Sequence, residues 1–493
     1  MTSDVTRRGF MKVAGAAAGV AAATKFNPRA YAANEKIRVG MIGTGGQAGF
    51  HIRFGLLPNE DIEIAAVCDI FKPNLDAAWA LAGGETREVG KYLDYREMLD
   101  KEDIDAVIVC TPLDQHYEPS MAALEAGKHL FLQKTMCYEI DECRDIVKKV
   151  NDTGLICQIG HQRRYNPEYN KAVWLSRGSE ERQSTTGRIN HIQAHWHRNN
   201  DWRRPVPQNY EISAEERALG VTDLERHVNW RLYPERSKGG LITELATHQL
   251  DVASWFLGAM PTRVSAFGGI DYWKDGRETD DNIVMIYEYD VPRSAPGFAD
   301  IVPRNPLQRR AQINRDYTVR FTYSSICANA HASYGEQILG DRGGIYTTEQ
   351  HGCTYYAEPA AKEDWNLAAG GAADLTAEDI LAGKTRDYSD DAYKEGLPIK
   401  VVDDKGEAFT NATVVDRMQF TEFAKDIRNG TPPKANEIVG LMAAVSGFAA
   451  LESMRNGGTP VEIDPALYTF DFDTPDPFRY DFFEDPNWQA PTV

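Results

Sequence analysis

The sequence predicts an α/β chain in two parts. A doubly wound parallel sheet comes first, and an α+β domain with a largely antiparallel open sheet follows. Three observations carry this. Residues 36–69 read as strand, glycine-rich turn, helix and second strand. From there to Gly160, short apolar runs alternate with helical stretches, the pattern of crossover connections between parallel strands. Beyond Gly160, strands recur with few helices between them, as in an antiparallel sheet.

Ile37, Val39, Met41 and Ile42 supply the apolar run of a buried strand. Gly43-Thr44-Gly45-Gly46-Gln47-Ala48 then fits the G-x-G-x-x-G/A pattern of a dinucleotide-binding turn. Gly43 permits the tight turn, Gly45 lets backbone approach a pyrophosphate, and Ala48 lets the next helix lie close on the sheet. The helix start offers free N–H groups to phosphates. Residues 62–67 form the second strand. Asp69 closes it about twenty residues past Gly49, where an acid can bind ribose hydroxyls. A carboxylate there repels a 2′-phosphate, so NAD is the expected cofactor. Lys72 lies close enough to leave NADP open.

The chain continues with a helix at 74–81, a strand at 105–112 broken by Pro112, a helix at 118–126 and a strand at 129–132 that leads into Gln133-Lys134-Thr135. A helix at 140–151 and a strand at 155–159 complete this Rossmann-type unit. Second-domain strands are expected at 189–196, 263–267, 283–289, 317–323 and 336–339, with helices at 414–429 and 437–455. Residues 292–315 and 358–395 are rich in turn formers and read as long loops. After Asp464 the tail mixes acids with Tyr468, Phe470, Phe472, Phe478, Tyr480, Phe482, Phe483 and Trp488. So many aromatics imply that it wraps its own domain or a neighbouring subunit.

At 493 residues the chain can bury a large core in two domains. A net charge of -19 argues against nucleic acid and against an anionic membrane surface. Thr6-Arg7-Arg8-Gly9-Phe10-Met11-Lys12, an alanine-rich apolar core and Ala30-Tyr31-Ala32 resemble a cleaved twin-arginine export signal. The apolar run is too short to span a bilayer. Export to the periplasm or beyond is expected, with no membrane span in the mature form. Seven scattered cysteines without a C-x-x-C pair match neither a disulfide framework nor a zinc site. The expected divisions are 1–33 signal, 34–160 cofactor domain, 161–464 substrate and oligomerisation domain, and 465–493 tail.

Several further motifs show a resemblance. These are the Cys110-Thr111-Pro112…His116 turn, the bend at residues 126–129, the Gly160-His-Gln162-Arg163-Arg-Tyr165 stretch, Gln133-Lys134-Thr135, and Gly239-Gly240-Leu-Ile-Thr-Glu244-Leu-Ala246-Thr-His248-Gln-Leu-Asp251. Together they resemble the glucose–fructose oxidoreductase/inositol dehydrogenase (Gfo/Idh/MocA) family between about residues 37 and 461. The family's Glu-Lys-Pro appears here with Gln133 and Thr135. Its second motif appears with Glu244 for Asp and Ala246 for Gly. The resemblance implies that Lys134 and His248 handle the proton in a hydride transfer. It also implies that Thr111, Pro112, His116, Gln133 and Gln162 join residues 43–48 and Asp69 around the cofactor, with Arg163 on the substrate. A homo-oligomer is expected.

Helical spacing places Glu244, His248 and Asp251 on one face. A carboxylate one turn away can orient an imidazole and raise its basicity, so Glu244 joins the catalytic set and Asp251 the substrate-binding set. Lys134 follows a buried strand at the sheet edge where α/β folds place ligands. His195-Trp196-His197-Arg198 and Asp201-Trp202-Arg203-Arg204 form an aromatic–basic cluster suited to a sugar, through His195, His197, Trp202 and Arg203. No metal is expected. The first functional expectation is an NAD(P)-dependent oxidoreductase acting on a sugar, sugar derivative or cyclitol. The alternatives are a glycosidase that uses NAD transiently on a glycoside, and a sugar-binding protein without catalysis.

Overall fold

A computed structural model describes residues 35–178, 184–292, 316–348, 352–357, 396–401 and 412–481. The export-type segment, nearly all of 292–315 and 358–395, and Phe482, Phe483 and Trp488 lie outside the described residues.

The first sheet contains β1 (Ile37–Ile42), β2 (Ile62–Cys68), β3 (Gly90–Tyr92), β4 (Ala106–Val109), β5 (His129–Leu132) and β6 (Cys157–Ile159), in the order β3-β2-β1-β4-β5-β6. All of its pairings are parallel. The strand order reverses between β1 and β4, which opens a crevice at the carboxyl ends of those two strands. α1 (Gly46–Phe50) follows β1 and runs on as a π turn through Leu56. α2 (Lys72–Leu81), α3 (Tyr95–Lys101), α4 (Tyr117–Glu125) and α5 (Ile140–Thr153) make the other crossovers. α5 begins with a capping box, Glu139 with Glu142, and stops at Gly154 in a left-handed conformation.

One helix of this layer comes from far along the chain. In α8 (Ala412–Asn429), Phe420, Phe423, Ala424 and Ile427 are buried against Ile37, Val39, Met41 and Phe131 of the first sheet. The Phe131 and Phe420 rings are 4.7 Å apart.

α6 (Pro167–Arg177) leads into the second sheet. Its strands are β7 (Ile189–His197), β8 (Arg263–Gly269), β9 (Asn282–Val291), β10 (Tyr317–Ile326), β11 (Tyr334–Gly340), β12 (Gly343–Thr348), β13 (Gly352–Ala357), β14 (Leu397–Ile399) and β15 (Val461–Glu462). The order is β14-β13-β12-β11-β7-β10-β9-β8-β15, antiparallel except for β7 with β10. The fold is thus the expected α/β architecture. The hairpin β12–β13 was not expected, because Gly343, Gly344 and Gly352 dilute its alternation. β9 shows that alternation clearly: Ile283, Met285, Tyr287, Tyr289 and Val291 are buried, while Val284 and Ile286 are about half exposed. α7 (Thr247–Leu257) and α9 (Glu437–Arg455) cover the buried face. Among the described residues α9 is the one helix long and apolar enough to cross a membrane, and 83% of its apolar window is buried inside the protein.

The tail folds back onto both domains of its own chain. Arg164 donates to the Pro477 carbonyl, Arg177 to that of Phe478 and Trp255 to that of Arg479. Arg144 donates to Ala466 and Leu467. The seven cysteines are all free, and only Cys110 is more than slightly exposed.

Candidate active site

The crevice between β1 and β4 opens into a cavity of about 930 Å³ that runs from the first sheet to the second domain. Its floor is the glycine turn. Gly43 has φ +81°, and a Cβ there would lie 2.5 Å from the Thr111 backbone nitrogen, so only glycine fits. Gly45, Gly46 and Gln47 continue the floor, while Ala48 is buried behind it. Thr44 ties the turn to β2: its N–H donates to Asp69 Oδ2 at 2.7 Å, and its hydroxyl lies 3.2 Å from the same oxygen. Asp69 Oδ1 accepts from the Phe71 N–H at 2.8 Å. Burial pushes the Asp69 carboxyl up, and these donors pull it back. Asp69 therefore fixes the turn as well as facing the cavity. Lys72 is committed elsewhere: its N–H donates to Glu216 (3.0 Å) and its ammonium pairs with Glu215 (3.4 Å). With Lys72 engaged and the Asp69 carboxylate facing the cavity, this end of the groove is unfavourable for a 2′-phosphate. Size, glycine contacts and ribose-side acid all fit a nicotinamide dinucleotide of the NAD type.

Thr111, Pro112 and His116 form the opposite wall. The buried His116 ring bridges backbone carbonyls, Nε2 to Thr111 (3.0 Å) and Nδ1 to Thr135 (2.9 Å), and so locks the β4 turn to the segment bearing Lys134. Gln133 Nε2 lies 2.5 Å from His51 Nε2, and His51 Nδ1 lies 2.7 Å from Asp416 of α8. Gln162 is not on the cavity wall.

Lys134 stands where the groove meets the second domain. Its ammonium donates to the Glu244 carbonyl at 2.9 Å and lies 3.9 Å from that residue's carboxylate. Thr135 Oγ1 donates to the Thr243 carbonyl at 2.6 Å. Both acceptors belong to a π turn (Ile242–Ala246) that precedes α7, the kind of local irregularity that re-aims backbone groups near sites. Burial lowers the Lys134 pKa, and Glu244 opposes the shift. Burial alone would raise Glu244, but Lys134 and Arg231 outweigh it and hold its carboxyl below the usual range.

Glu244 does not orient His248. Its Oε2 accepts from Arg231 at 2.9 Å, because two nearby cations attract a buried carboxylate more strongly than a neutral imidazole does. His248 is not on the cavity wall; it is buried between Trp196, 5.6 Å between rings, and His161, 6.0 Å away, and its Nδ1 has no hydrogen-bond partner. Burial, then the positive charges of Lys134 and Arg163, hold the His248 pKa well below the ordinary imidazole value.

The six substrate-binding expectations require correction. Asp251 makes a bidentate buried pair with Arg164, 2.7–3.0 Å, and faces the core. Arg163 is buried and paired with Glu336. Arg203 pairs with Glu225 and Asp275. His195 and His197 share a strand face, 5.2 Å between rings, but bond to the Ala332 carbonyl and the Ser324 hydroxyl rather than lining the cavity. In each case a partner distant in sequence claims the polar group. Trp202 stands behind the wall, its ring against Arg198 (4.2 Å) and Arg231 (5.6 Å). The second-domain wall is instead Arg204, Trp230 and Arg231. Arg204 was visible as part of a basic cluster; nothing in the sequence singled out Trp230 or Arg231.

Fold and groove together define a two-domain dinucleotide-binding protein with an ionisable lysine at the domain junction. Residues 37–161 match the oxidoreductase family with an NAD-binding Rossmann fold, and residues 182–295 match the GFO/IDH/MocA C-terminal domain. Both matches are to domains of the Gfo/Idh/MocA oxidoreductase family, and this chain is similar to that family over these two segments. It is 25% identical over 235 residues to a scyllo-inositol 2-dehydrogenase (NAD(+)) of Bacillus subtilis, covering 48% of this chain and 58% of that protein. It is 29% identical over 190 residues to a glycosyl hydrolase family 109 protein of Shewanella baltica, covering 34% of this chain and 41% of that one. The chain thus spans about half the length of the curated relatives it matches. A levoglucosan dehydrogenase solved with NADH and L-sorbose shares the fold with a TM-score of 0.58 at 16% identity, over 87% of this chain and 99% of that one. A myo-inositol 2-dehydrogenase from Lactobacillus plantarum does so at 0.57 and 16%, over 87% and 100%.

Proposed function

We propose that the protein is an NAD-dependent oxidoreductase that converts a ring hydroxyl of a sugar, sugar derivative or cyclitol to a ketone, or the reverse. The observation that carries this reading is Lys134, a largely buried ammonium at the domain junction of an NAD-type groove. The bound nicotinamide supplies the hydride acceptor or donor. Lys134 holds the reacting oxygen and gives it a proton in the reduction direction, with Glu244 keeping the ammonium charged. In the oxidation direction the hydroxyl proton returns along the same path to a neutral Lys134, and His248, held neutral beside it, can relay it onward. The likeness to a scyllo-inositol dehydrogenase supports a cyclitol or sugar as substrate. A carbohydrate and glycoside panel that follows NADH absorbance and product release together tests the reading. Net NADH formation is expected; no response to any polyol would sink it.

The second reading is a glycosidase that oxidises, eliminates and re-reduces with no net redox change. The family 109 likeness favours it. Aglycone release without NADH formation would select it.

We also propose export by the twin-arginine route on the strength of Arg7-Arg8 and Ala30-Tyr31-Ala32. Outside the cytoplasm free NAD is scarce, so the cofactor would be loaded before export, retained and recycled. Nanomolar retention corresponds to about -12 kcal/mol. Nucleotide released on denaturing the purified mature protein tests this; an empty protein would refute it. Homo-oligomerisation is supported by the exposed Phe267, Val284 and Ile286 on the open sheet face, and sedimentation tests it.

A further inference from the structure

Resting on the NAD reading above, we propose that residues 199–238 form a strap from the second domain across the dinucleotide groove, and that Arg204 is its contact to the pyrophosphate. The Arg204 guanidinium lies on the glycine turn. A Cβ added to Gly46 would be 2.5 Å from Nη1 and 2.8 Å from Nη2. Gly46 is absent from the positive-φ glycines, so its lack of a side chain serves this close approach rather than backbone conformation.

The charges around Arg204 are already spent. Arg203 pairs with Glu225 and Asp275, Arg231 with Glu244, and Arg236 with Asp114. Among the described residues the Arg204 guanidinium has no acidic partner and faces the cavity. Its backbone is held in place: the N–H donates to Asn229 Oδ1 at 2.6 Å, and Asn229 Nδ2 donates to its carbonyl at 3.1 Å. An unpaired guanidinium on a fixed backbone, above the turn that receives a diphosphate, can bond two phosphate oxygens at once. In a chain of net charge -19, such a local cation matters more than the overall field.

The strap is fastened to both rims. On the β2 side, Glu216 accepts the Lys72 N–H at 3.0 Å, and the Phe71 ring meets Tyr210 (5.2 Å) and His227 (5.0 Å). On the β4 side, Arg236 pairs with Asp114 at 3.1 Å. A dinucleotide beneath it is enclosed by protein from both domains, which slows release.

The test is calorimetric titration of nucleotide-free full-length protein with NAD, ADP-ribose and adenosine. Arg204→Ala should weaken NAD and ADP-ribose about tenfold or more and leave adenosine unchanged, and Arg204→Lys should recover part of the loss. Gly46→Ala, which displaces the guanidinium while keeping it, should reproduce the phosphate-selective loss. Unchanged NAD affinity in Arg204→Ala, or an equal loss for adenosine, would overturn the proposal. Wild-type protein that binds none of the three overturns the NAD reading itself, a result separate from any variant effect.

Discussion

The Lys134 ammonium donates to the Glu244 carbonyl, 2.9 Å away, while the carboxylate of the same residue lies 3.9 Å from it. One residue of the second domain thus both anchors and charges the one lysine that closes the cofactor groove. The contact joins the end of β5 to the π turn before α7, so the position of the reacting proton depends on how the two domains meet.

Replacing Lys134 or His248 by Ala should reduce turnover by roughly two orders of magnitude or more, with the NAD dissociation constant changed only a few-fold. Steady-state kinetics and a nucleotide titration on the same preparations check this. Near-normal turnover in both variants would remove them from the chemistry.

Glu244→Gln should act through Lys134. Its carboxylate favours the charged ammonium, so losing it lowers a lysine pKa that burial already depresses. In the reduction direction Lys134 must carry the proton, and activity is lost as pH rises through its pKa. The alkaline limb of the kcat/KM profile should therefore move to lower pH in Glu244→Gln. A limb that stays in place would separate Glu244 from Lys134.

Wild-type protein should prefer NAD, and Asp69→Ala should narrow the preference. Because Asp69 also holds the Thr44 N–H, NAD affinity should fall as well. Parallel titrations with NAD and NADP give both quantities. A wild-type preference for NADP is incompatible with Asp69 on the rim and Lys72 paired to Glu215.

Asp251→Asn should lower stability and spare substrate affinity. Breaking one side of a buried ion pair costs on the order of 3–5 kcal/mol, here by stranding Arg164. A lower thermal midpoint with unchanged KM is the expected pair of results. A raised KM at unchanged stability would restore Asp251 to the substrate.

The parts of the site that could be read in the sequence are those set by local spacing. The glycine turn, Asp69 and Lys134 each sit at fixed distances from a strand end, and strand periodicity finds those ends. Partner choice could not be read that way. Glu244 turns to Arg231, Asp251 to Arg164, and Arg163 to Glu336, because buried charges pair with whatever cation or anion the tertiary fold brings within reach. The β12–β13 hairpin escaped notice for a simpler reason: glycines interrupt the apolar alternation that marks a strand.

α8 completes the first sheet's outer layer from residues 412–429, and the second domain seals its Arg164 and Arg177 with the carbonyls of Pro477 and Phe478. The first domain lacks part of its outer layer until residues 412–429 have been made, and the second lacks its cover until residues 477–478 have. Early folding on the ribosome would leave Phe131 and its neighbours facing water, so the nascent first half is a natural client for holding chaperones. A gene fragment ending near residue 160 would encode a sticky half-layer rather than a stand-alone nucleotide binder.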